Sequence, residues 1–354
     1  MKSRAAIQLN IGEKPVIDLI DIPDPQPHQV AVKMFASGVC QTQLHHLHQK
    51  TLGRPLGLGH EGTGIITKVG TQVEHISEGD HAIITWVPRK PISGRKDPIP
   101  SGTKHRGKLL QGLVYTWTEH TLVNADMVVK MSREYPTDVT SVIGCAVLTG
   151  AGAVLNTAQV KPGNSVAIFG VGGVGLSAVQ AAAISGASPI IAIDLTHEKL
   201  EFAREFGATH TINANSQDAV EAVRDLSDGG VDFAFDTIGV RITTEQILPA
   251  TKGGGPGADN HGGVAILVGI PREPMTLDPG LFVYHQRRYR GSLGAVYPEK
   301  DFDTFLKWNQ DGKFPLSKLV TDRYSLDQVN QACEALERGS VRGRAIIEYT
   351  GGTD

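Results

Sequence analysis

The stretch SVAIFGVGGVG, residues 165–175, decides the fold of this chain. It begins with the short apolar run Ser165 to Phe169, which is typical of a buried β-strand. Three glycines follow at the spacing Gly-x-Gly-x-x-Gly, and the small apolar residues from Leu176 to Ile184 then predict a helix that packs tightly on the strand. The segment therefore predicts a strand, a tight turn and a helix.

This glycine spacing is typical of a dinucleotide-binding βαβ unit. Gly170 permits the tight turn, Gly172 lets the backbone approach a pyrophosphate, and Gly175 allows close contact between helix and strand. Gly173, inside the same turn, lies where a helix N-terminus offers free N–H groups to phosphates. The alternative is a glycine turn with a structural role only.

The next predicted strand selects the type of cofactor. Ile190 to Asp194 is apolar up to its final residue, and Asp194 lies 19 positions after Gly175. Its carboxylate can accept hydrogen bonds from adenosine ribose hydroxyls, and its charge would repel a phosphate added there. The sequence therefore favours NAD over NADP. Lys199 is a candidate contact to ribose or phosphate, or alternatively a solvated helix residue.

Apolar strands alternate with helical segments from Asn164 onward, which is typical of a doubly wound parallel sheet. Further strands are predicted at Val231 to Phe235 and Val264 to Val268, and a helix at Thr196 to Phe206. The first 147 residues lack long helical periodicity and look mainly β. Their β-type runs are Val30 to Met34, Gly64 to Val69 and Ala82 to Thr85.

After about residue 293 the pattern predicts two helices and a last strand that return to the first domain. Ser325-Leu326-Asp327-Gln328 is a capping-box signature, and Cys333 follows on the apolar face of the helix it begins. Cys333 is therefore expected in the core.

Composition narrows the class of protein. A length of 354 residues suggests two domains, and 40% hydrophobic residues are enough for real cores. A net charge of −3 gives no reason to expect nucleic acid or a membrane as a partner. Three scattered cysteines and no signal-peptide pattern indicate a reducing cytoplasm. No apolar stretch is expected to approach the roughly 20 residues that span a bilayer.

Four residues form a sparse set of candidate metal ligands: Cys40, His60, Glu61 and Cys145. Zinc accepts thiolate, imidazole and carboxylate, and a catalytic zinc keeps three protein ligands with one open position. Two thiolates and one imidazole fit that count. Taken singly, each cysteine or histidine is more often a packed or solvated residue, so spacing alone leaves these assignments open.

Over nearly its whole length the chain resembles the zinc-dependent alcohol dehydrogenases of the medium-chain dehydrogenase/reductase superfamily. The motifs that carry the resemblance are Gly38-Val39-Cys40-Gln41-Thr42, Gly59-His60-Glu61-Gly62, Gly79-Asp80, Gly144-Cys145 with Thr149-Gly150, the glycine turn, Val268-Gly269-Ile270-Pro271 and Gly343-Arg344. The resemblance implies an α/β protein. Residues 1–147 and 294–354 would form a GroES-like, mainly-β catalytic domain, and residues 148–293 a Rossmann domain with a doubly wound parallel sheet.

The resemblance also assigns the metal site. It implies one catalytic zinc on Cys40, His60 and Cys145, with Glu61 close enough to replace water during ligand exchange. The four cysteines of the family's structural-zinc lobe are missing between residues 89 and 111, so no structural zinc is expected. Gln43 stands where the family usually has an aspartate supporting the zinc-bound histidine, and an amide should support it more weakly.

The resemblance further implies how protons and cofactor are handled. Thr42 would accept the alcohol proton and pass it through the nicotinamide ribose to His45. Thr149 and Val174 would lie near the nicotinamide, with the backbone of Val268 near its carboxamide. Two further positions concern the pyrophosphate: Arg344 would bind it, and Gln41 replaces the arginine or histidine of many relatives.

Two tryptophans are expected at the substrate pocket, and a basic loop follows the first of them in the sequence. Trp86 and Trp117 fall where the family places substrate-pocket aromatics, although each could be ordinary core. The loop from Arg89 to Lys108 carries seven basic residues and a single acid, Asp97. It is interpreted as a solvated surface or subunit contact, or alternatively as a segment that attracts an anionic substrate.

Together these features predict a cytoplasmic, zinc-dependent, NAD-linked dehydrogenase that interconverts an alcohol and an aldehyde or ketone, as a homodimer or homotetramer. One alternative is a zinc-free quinone or enoyl reductase of the same superfamily. The other is a non-catalytic protein that senses nucleotide.

Overall fold

The computed structural model describes residues 1–93, 100–257 and 260–349. The chain divides into two compact units. The first comprises Met1–Cys145 together with Tyr297–Asp354, and the second Ala146–Val296.

Strands and helices are numbered separately, in chain order. The strands are β1 (Lys2–Gln8), β2 (Val16–Asp21), β3 (Gln29–Val39), β4 (Leu56–Gly57), β5 (Gly62–Val69), β6 (His81–Ile84), β7 (Lys104–His105), β8 (Lys108–Leu109), β9 (His120–Asn124), β10 (Val128–Met131), β11 (Val166–Phe169), β12 (Ile190–Asp194), β13 (His210–Asn213), β14 (Phe233–Asp236), β15 (Val264–Leu267), β16 (Arg288–Gly291), β17 (Val320–Ser325) and β18 (Arg344–Glu348). The α-helices are α1 (Gln41–His48), α2 (Leu148–Gly152), α3 (Gly173–Ile184), α4 (His197–Arg204), α5 (Ala219–Leu226), α6 (Arg241–Gln246), α7 (Gly280–Val283), α8 (Pro298–Gln310), α9 (Leu316–Leu319) and α10 (Val329–Glu337).

The second unit is built on a six-stranded sheet in the order β13-β12-β11-β14-β15-β16. Every neighbouring pair is parallel. Counted from β11, this is the order 3-2-1-4-5-6 of a doubly wound sheet, whose ligands bind beyond the carboxyl ends of the strands where the order reverses. That reversal lies between β11 and β14, and the glycine turn directly follows β11. The predicted Rossmann fold is confirmed.

The first unit is mainly β, as predicted, and both parts of the chain contribute to it. Its larger sheet has the order β10-β6-β5-β3-β18-β17, with β9 also paired to β3. The smaller sheet has the order β4-β1-β2-β7-β8. Strand β18 pairs antiparallel with β3 and parallel with β17, so the C-terminal segment contributes two strands to the larger sheet. One buried cluster contains residues from β3, β5, β6, α10 and β18.

The C-terminal segment has more elements than the sequence predicted. Strand β17 is additional, and after buried Val320 its residues are half-buried or exposed, so no apolar run marked it. Three helices, α8, α9 and α10, replace the two expected. The capping box is confirmed at Ser325 and Gln328, and Cys333 is buried as predicted.

One helical run corrects an expectation about apolar length. Val139–Ala158 is continuously helical, 20 residues long, and apolar enough to cross a membrane by length and composition alone. However, 83% of its most apolar 18-residue segment is buried inside the protein, which is typical of a core helix. The run changes from a 3₁₀ turn at Val139–Val142 to a π-helical turn at Ile143–Val147, which contains Cys145.

Candidate active site

Local structure positions each of three candidate metal ligands. Cys40 directly follows β3 and is the N-cap residue of α1. His60 lies two residues before β5 begins, and Cys145 lies in the π-helical turn. Such π-turns inside helices are frequently found at functional sites. All three side chains are buried, and all three residues belong to the first unit.

The three donor atoms converge. Cys40 Sγ and Cys145 Sγ are 4.0 Å apart, and His60 Nε2 lies 3.2 Å from Cys145 Sγ. The ligand atoms all lie within 4.8 Å of one another, and among the described residues these form the only such group of three or more. Tetrahedral Zn–S bonds of about 2.3 Å would separate two sulfurs by about 3.8 Å. The donor set and its spacing therefore fit zinc with one coordination position left open.

The site is electrostatically prepared for a cation. The hydrogen bond between the two thiols, together with Arg344 and His60, holds the pKa of Cys40 well below its usual value despite burial. The same thiol contact and burial raise the pKa of Cys145 well above its usual value. These contacts favour the thiolate form of Cys40 over that of Cys145. A bound cation would favour the thiolate form of Cys145 as well.

Glu61 is not a member of the three-ligand cluster. Its carboxylate accepts hydrogen bonds from Arg344 Nε, at 2.9 Å, and from Arg344 Nη2. Burial raises the pKa of Glu61, although Arg344 opposes this. Burial would lower the pKa of Arg344, but the charges of Cys40 and Glu61 outweigh it and raise that pKa. The family resemblance assigns Arg344 to a pyrophosphate; in this structure its partner is Glu61, and a role toward cofactor stays a prediction.

Gln43 connects the backbone to the imidazole of His60. Its Nε2 lies 2.5 Å from His60 Nδ1, and its Oε1 accepts a hydrogen bond from Gly59 N–H at 2.8 Å. The family resemblance identifies the position of Gln43 beside the histidine but not the contact with Gly59. No sequence signal marks that contact, because it depends on how α1 packs against the segment that precedes β5.

The two residues predicted to carry a proton lie on α1. Thr42 Oγ1 is 3.4 Å from Cys40 Sγ, which places the hydroxyl beside a candidate ligand. His45 is three positions further along the helix and half-buried, so it shares a helix face with Thr42. Neighbouring His46 is different, since burial lowers its pKa to about 4. The roles of Thr42 and His45 stay predictions.

The glycine turn of the second unit has the geometry that a tight strand-turn-helix connection needs. Gly170 adopts φ +86°, and a Cβ on Gly175 would lie 1.9 Å from the carbonyl oxygen of Gly170. A Cβ on Gly172 would meet nothing within 4 Å, although Gly172 is the N-cap residue of α3. Gly170 and Gly175 are therefore required by the fold, whereas the fold alone does not require Gly172.

Asp194, at the end of β12, already holds the turn. Its carboxylate accepts hydrogen bonds from the N–H of Val171 at 3.0 Å and from those of Leu195 and Thr196 at 2.7 and 3.2 Å. It lies at the carboxyl end of its strand, half-buried. The structure therefore places this acid directly against the glycine turn.

The remaining predicted cofactor residues have diverse environments. Thr149 Oγ1 is buried and has no hydrogen-bond partner among the described residues. The N–H of Val268 donates to Asp236 O, at the end of β14. Gly173, the first residue of α3, is buried. Three further positions are half-buried: Gln41 on α1, Val174 on α3 and Lys199 on α4. No cofactor contact is established for any of them, and the assignments stay predictions.

The two tryptophans differ. Trp117 is 0% exposed, packs in the hydrophobic core of the first unit, and donates from Nε1 to Gly38 O at 3.1 Å. Because its ring is enclosed by core residues, this placement fits the alternative that Trp117 is ordinary core rather than a pocket residue. Trp86 is half-buried, directly after Thr85, whose hydroxyl donates to Gly144 O next to Cys145. A pocket position remains a prediction for Trp86.

The basic loop is neutralised by nearby acids at several positions. Arg89 donates to Glu299, which also lies 3.5 Å from Lys90, and Arg106 pairs with Asp18 at 2.8 Å. These contacts favour the interpretation of a solvated surface or subunit contact over that of a segment that attracts an anionic substrate. Arg95, Lys96 and Asp97 lie outside the described residues.

Two family models match the chain. "Alcohol dehydrogenase GroES-like domain" matches residues 26–133, and "Zinc-binding dehydrogenase" matches residues 173–311. The first contains Cys40 and His60, and the second begins within the glycine turn.

Individual relatives cover nearly the whole chain. It is 30% identical to the S-(hydroxymethyl)glutathione dehydrogenase of Komagataella pastoris, over 98% of this chain and 97% of that protein. The crystal structure of an alcohol dehydrogenase zinc-binding domain protein from Burkholderia ambifaria matches with a TM-score of 0.88 and 29% identity, over 98% of this chain and 99% of that one. Benzyl alcohol dehydrogenase from Acinetobacter calcoaceticus matches with a TM-score of 0.87 and 29% identity, over 99% and 100%. With its ligand cluster and glycine turn, the chain belongs to the zinc-binding alcohol dehydrogenases of the medium-chain dehydrogenase/reductase superfamily.

Proposed function

We propose that this protein is a zinc-dependent, NAD-linked dehydrogenase that interconverts a small alcohol and its aldehyde or ketone. The observation that carries the proposal is the convergence of Cys40, His60 and Cys145 within 4.8 Å. Two thiols and one imidazole leave an open coordination position, which is the composition of a catalytic rather than a structural zinc site.

Zinc in this site would supply a Lewis acid for the substrate oxygen, and NAD would supply the hydride acceptor. The chain's own groups would then handle the proton. Thr42 is suited to receive it, because its hydroxyl lies 3.4 Å from Cys40 Sγ. His45, on the same face of α1, is suited to the outer end of the relay because the usual pKa of histidine is about 6.5.

Asp194 supports NAD as the cofactor rather than NADP. Its carboxylate stands at the carboxyl end of β12 against the glycine turn, and a second negative charge placed beside it would be repelled. A Lys or Arg residue could reverse this preference only if it followed Asp194 closely. The next three residues are Leu195, Thr196 and His197, and none of them is Lys or Arg.

The zinc-free reductase is the weaker alternative. A reductase without metal has no use for two buried thiols 4.0 Å apart beside an imidazole. Among the relatives, one is named for S-(hydroxymethyl)glutathione and another for benzyl alcohol, so the substrate panel includes both kinds of compound.

The test combines metal analysis with an absorbance assay of NADH formation. Purified protein is expected to contain one zinc per chain and to oxidise at least one alcohol in a panel of primary, secondary, aromatic and anionic compounds. Cys145→Ser is expected to lose both zinc and activity. Cys333→Ala is the matched control, because Cys333 is a buried core thiol of the same unit outside the ligand cluster. Full activity after zinc has been removed with a chelator, or full activity of Cys145→Ser, would overturn the proposal.

Two further proposals concern the assembly and its location. The protein would self-associate through the second unit, where β16 ends the sheet and Val283, Tyr284, Leu293 and Val296 expose apolar side chains nearby in sequence. Light scattering after gel filtration tests this, with Leu293→Asp expected to shift the mass toward the monomer.

The second of these proposals is a cytoplasmic location. A reducing cytoplasm would keep Cys40 and Cys145 available as zinc ligands, and cell fractionation tests that location.

A further inference from the structure

Two contacts fix the orientation of the Gln43 carboxamide. Its Oε1 accepts a hydrogen bond from Gly59 N–H at 2.8 Å, and its Nε2 faces His60 Nδ1 at 2.5 Å. A backbone N–H can only donate, so the amide oxygen must face Gly59 and the NH₂ group must face His60. The Gln43 side chain is buried, so bulk water does not offer it other partners.

In the metal-free site the hydrogen bonds therefore run in one direction. The Gln43 NH₂ donates to His60 Nδ1, which must be the unprotonated nitrogen of a neutral imidazole. The proton then resides on Nε2, which lies 3.2 Å from Cys145 Sγ and can donate to that sulfur. In this state each hydrogen bond in the chain from Gly59 through Gln43 and His60 to Cys145 pairs a donor with an acceptor.

Zinc requires the opposite arrangement at His60. The nitrogen that faces the ligand cluster is Nε2, and once it gives its lone pair to a metal, a neutral imidazole carries its proton on Nδ1. A metal-bound histidine normally donates that N–H to a carboxylate, a carbonyl or water. Here it would meet the NH₂ of Gln43, so two donors would face each other.

Turning the amide over does not resolve the conflict. The NH₂ group would then face Gly59 N–H, which lies 2.8 Å from that end of the amide. Either orientation leaves a buried N–H group without an acceptor, and such groups are costly. A carboxylate would have no conflict, because both of its oxygens accept.

We propose that Gln43 is a positioning residue that weakens zinc binding by stabilising the metal-free tautomer of His60, the one with its proton on Nε2. The inference rests on the proposed zinc site and deepens it, since it makes the metal more readily exchanged than a carboxylate at residue 43 would allow. The proposal follows from the pairing of one amide with two groups that are both donors once zinc is bound.

Two variants of similar side-chain length test the proposal in the full-length protein. Gln43→Glu supplies acceptors to both Gly59 and His60, whereas Gln43→Met removes the donor without adding charge. Zinc dissociation constants are measured at one pH by competition with a chromophoric chelator. Gln43→Glu is expected to bind zinc about 10- to 100-fold more tightly than wild type. Gln43→Met is expected to bind zinc at least as tightly as wild type.

The neutral variant separates the tautomer effect from simple charge. If Gln43 helped to hold zinc by accepting from His60, Gln43→Met would bind zinc more weakly than wild type, and that result would overturn the proposal. Equal affinities for wild type and Gln43→Glu would overturn it as well. If none of the three proteins bound one zinc per chain, the proposed zinc-dependent function would fail, and this inference with it.

Nitrogen NMR of ¹⁵N-histidine-labelled protein gives a readout that a purely structural role would not change. In zinc-free wild type, His60 is expected to be protonated on Nε2, and in zinc-free Gln43→Glu on Nδ1. A His60→Asn sample identifies the resonance. The same His60 tautomer in both proteins would contradict the proposal even if Gln43→Met failed to fold.

Discussion

Arg344 donates two hydrogen bonds to one carboxylate oxygen of Glu61, from Nε at 2.9 Å and from Nη2, although 283 positions separate the two residues. Arg344 is 5% exposed and Glu61 0% exposed, so both charges are removed from water. The pair therefore connects Arg344, the first residue of β18, with Glu61, which directly follows the candidate ligand His60. A buried pair of this kind is weak evidence for stability as a whole, but breaking it leaves one charge uncompensated.

Removing one partner is therefore expected to destabilise the protein strongly. Arg344→Met should lower the free energy of unfolding by about 3 to 5 kcal/mol, and adding Glu61→Gln should recover part of that loss. Urea unfolding measures both. Lys68→Met, which breaks the exposed pair with Asp24, serves as the control and should cause no measurable change. If Arg344→Met and Lys68→Met lowered the free energy of unfolding by similar amounts, burial of the Arg344–Glu61 pair would not be the cause of the destabilisation.

Local sequence signals predicted much of the second unit. The run Ser165 to Phe169, the glycine turn and the helix after it are encoded within about 20 consecutive residues, and β12 was predicted with its observed ends. Strand β17 was missed because it is half-exposed and lacks an apolar run. Short-range periodicity detects elements that are apolar on one face, and β17 is not one of them.

The site was predicted less completely, because its contacts join distant parts of the chain. Family resemblance selected Cys40, His60 and Cys145 as ligands, and their donor atoms do converge. The same resemblance placed Trp117 in a pocket, whereas the structure places it in the core. Nothing in the sequence joins Glu61 to Arg344, since a contact across 283 residues depends on β18 returning to β3.

Asp232 should give stability a dependence on pH. Its carboxylate accepts hydrogen bonds from Ser165 N–H at 2.8 Å, from Ser165 Oγ at 3.1 Å and from Lys252. Burial opposes ionisation, but these contacts outweigh it and lower the pKa of Asp232. A lowered folded-state pKa means that the stabilisation is complete above the unfolded pKa of about 3.9 and is lost as pH falls through the folded value.

Asp232→Asn is therefore expected to destabilise the protein by about 1 to 3 kcal/mol at neutral pH. The difference from wild type should shrink as pH falls below about 4. Urea unfolding of both proteins over a pH series provides the measurement. Asp225→Asn, at an exposed position on α5, is the control and should follow wild type throughout. A difference for Asp232→Asn that stays constant with pH would mean that the charge is not the cause.

Asp194 should determine the choice between NAD and NADP. Asp194→Ala removes the charge and the acceptor of three N–H groups, so NAD affinity is expected to fall about 10- to 100-fold. Asp194→Asn keeps an acceptor without the charge, and should lose less NAD affinity while gaining affinity for NADP. Cofactor fluorescence titrations measure both constants. Unchanged preference in Asp194→Asn would exclude charge repulsion as the basis of the selection.

Gly172 and Gly175 allow the binding role of the glycine turn to be separated from its folding role. A Cβ on Gly175 would lie 1.9 Å from Gly170 O, so Gly175→Ala should push α3 away from β11 and cost about 1 to 3 kcal/mol or more. A Cβ on Gly172 meets nothing within 4 Å, and its φ of −79° suits alanine. Gly172→Ala should therefore cost no more than about 1 kcal/mol, as the loss of a glycine N-cap.

Cofactor binding should follow a different pattern from stability in these two variants. If a pyrophosphate approaches the backbone at Gly172, the new methyl group occupies that space, and Gly172→Ala should bind NAD at least about tenfold more weakly while remaining folded. Thermal unfolding and NAD titration of the same samples separate the two effects. Wild-type NAD affinity in Gly172→Ala would mean that no phosphate reaches this point of the turn, and the cofactor would have to bind elsewhere on the second unit.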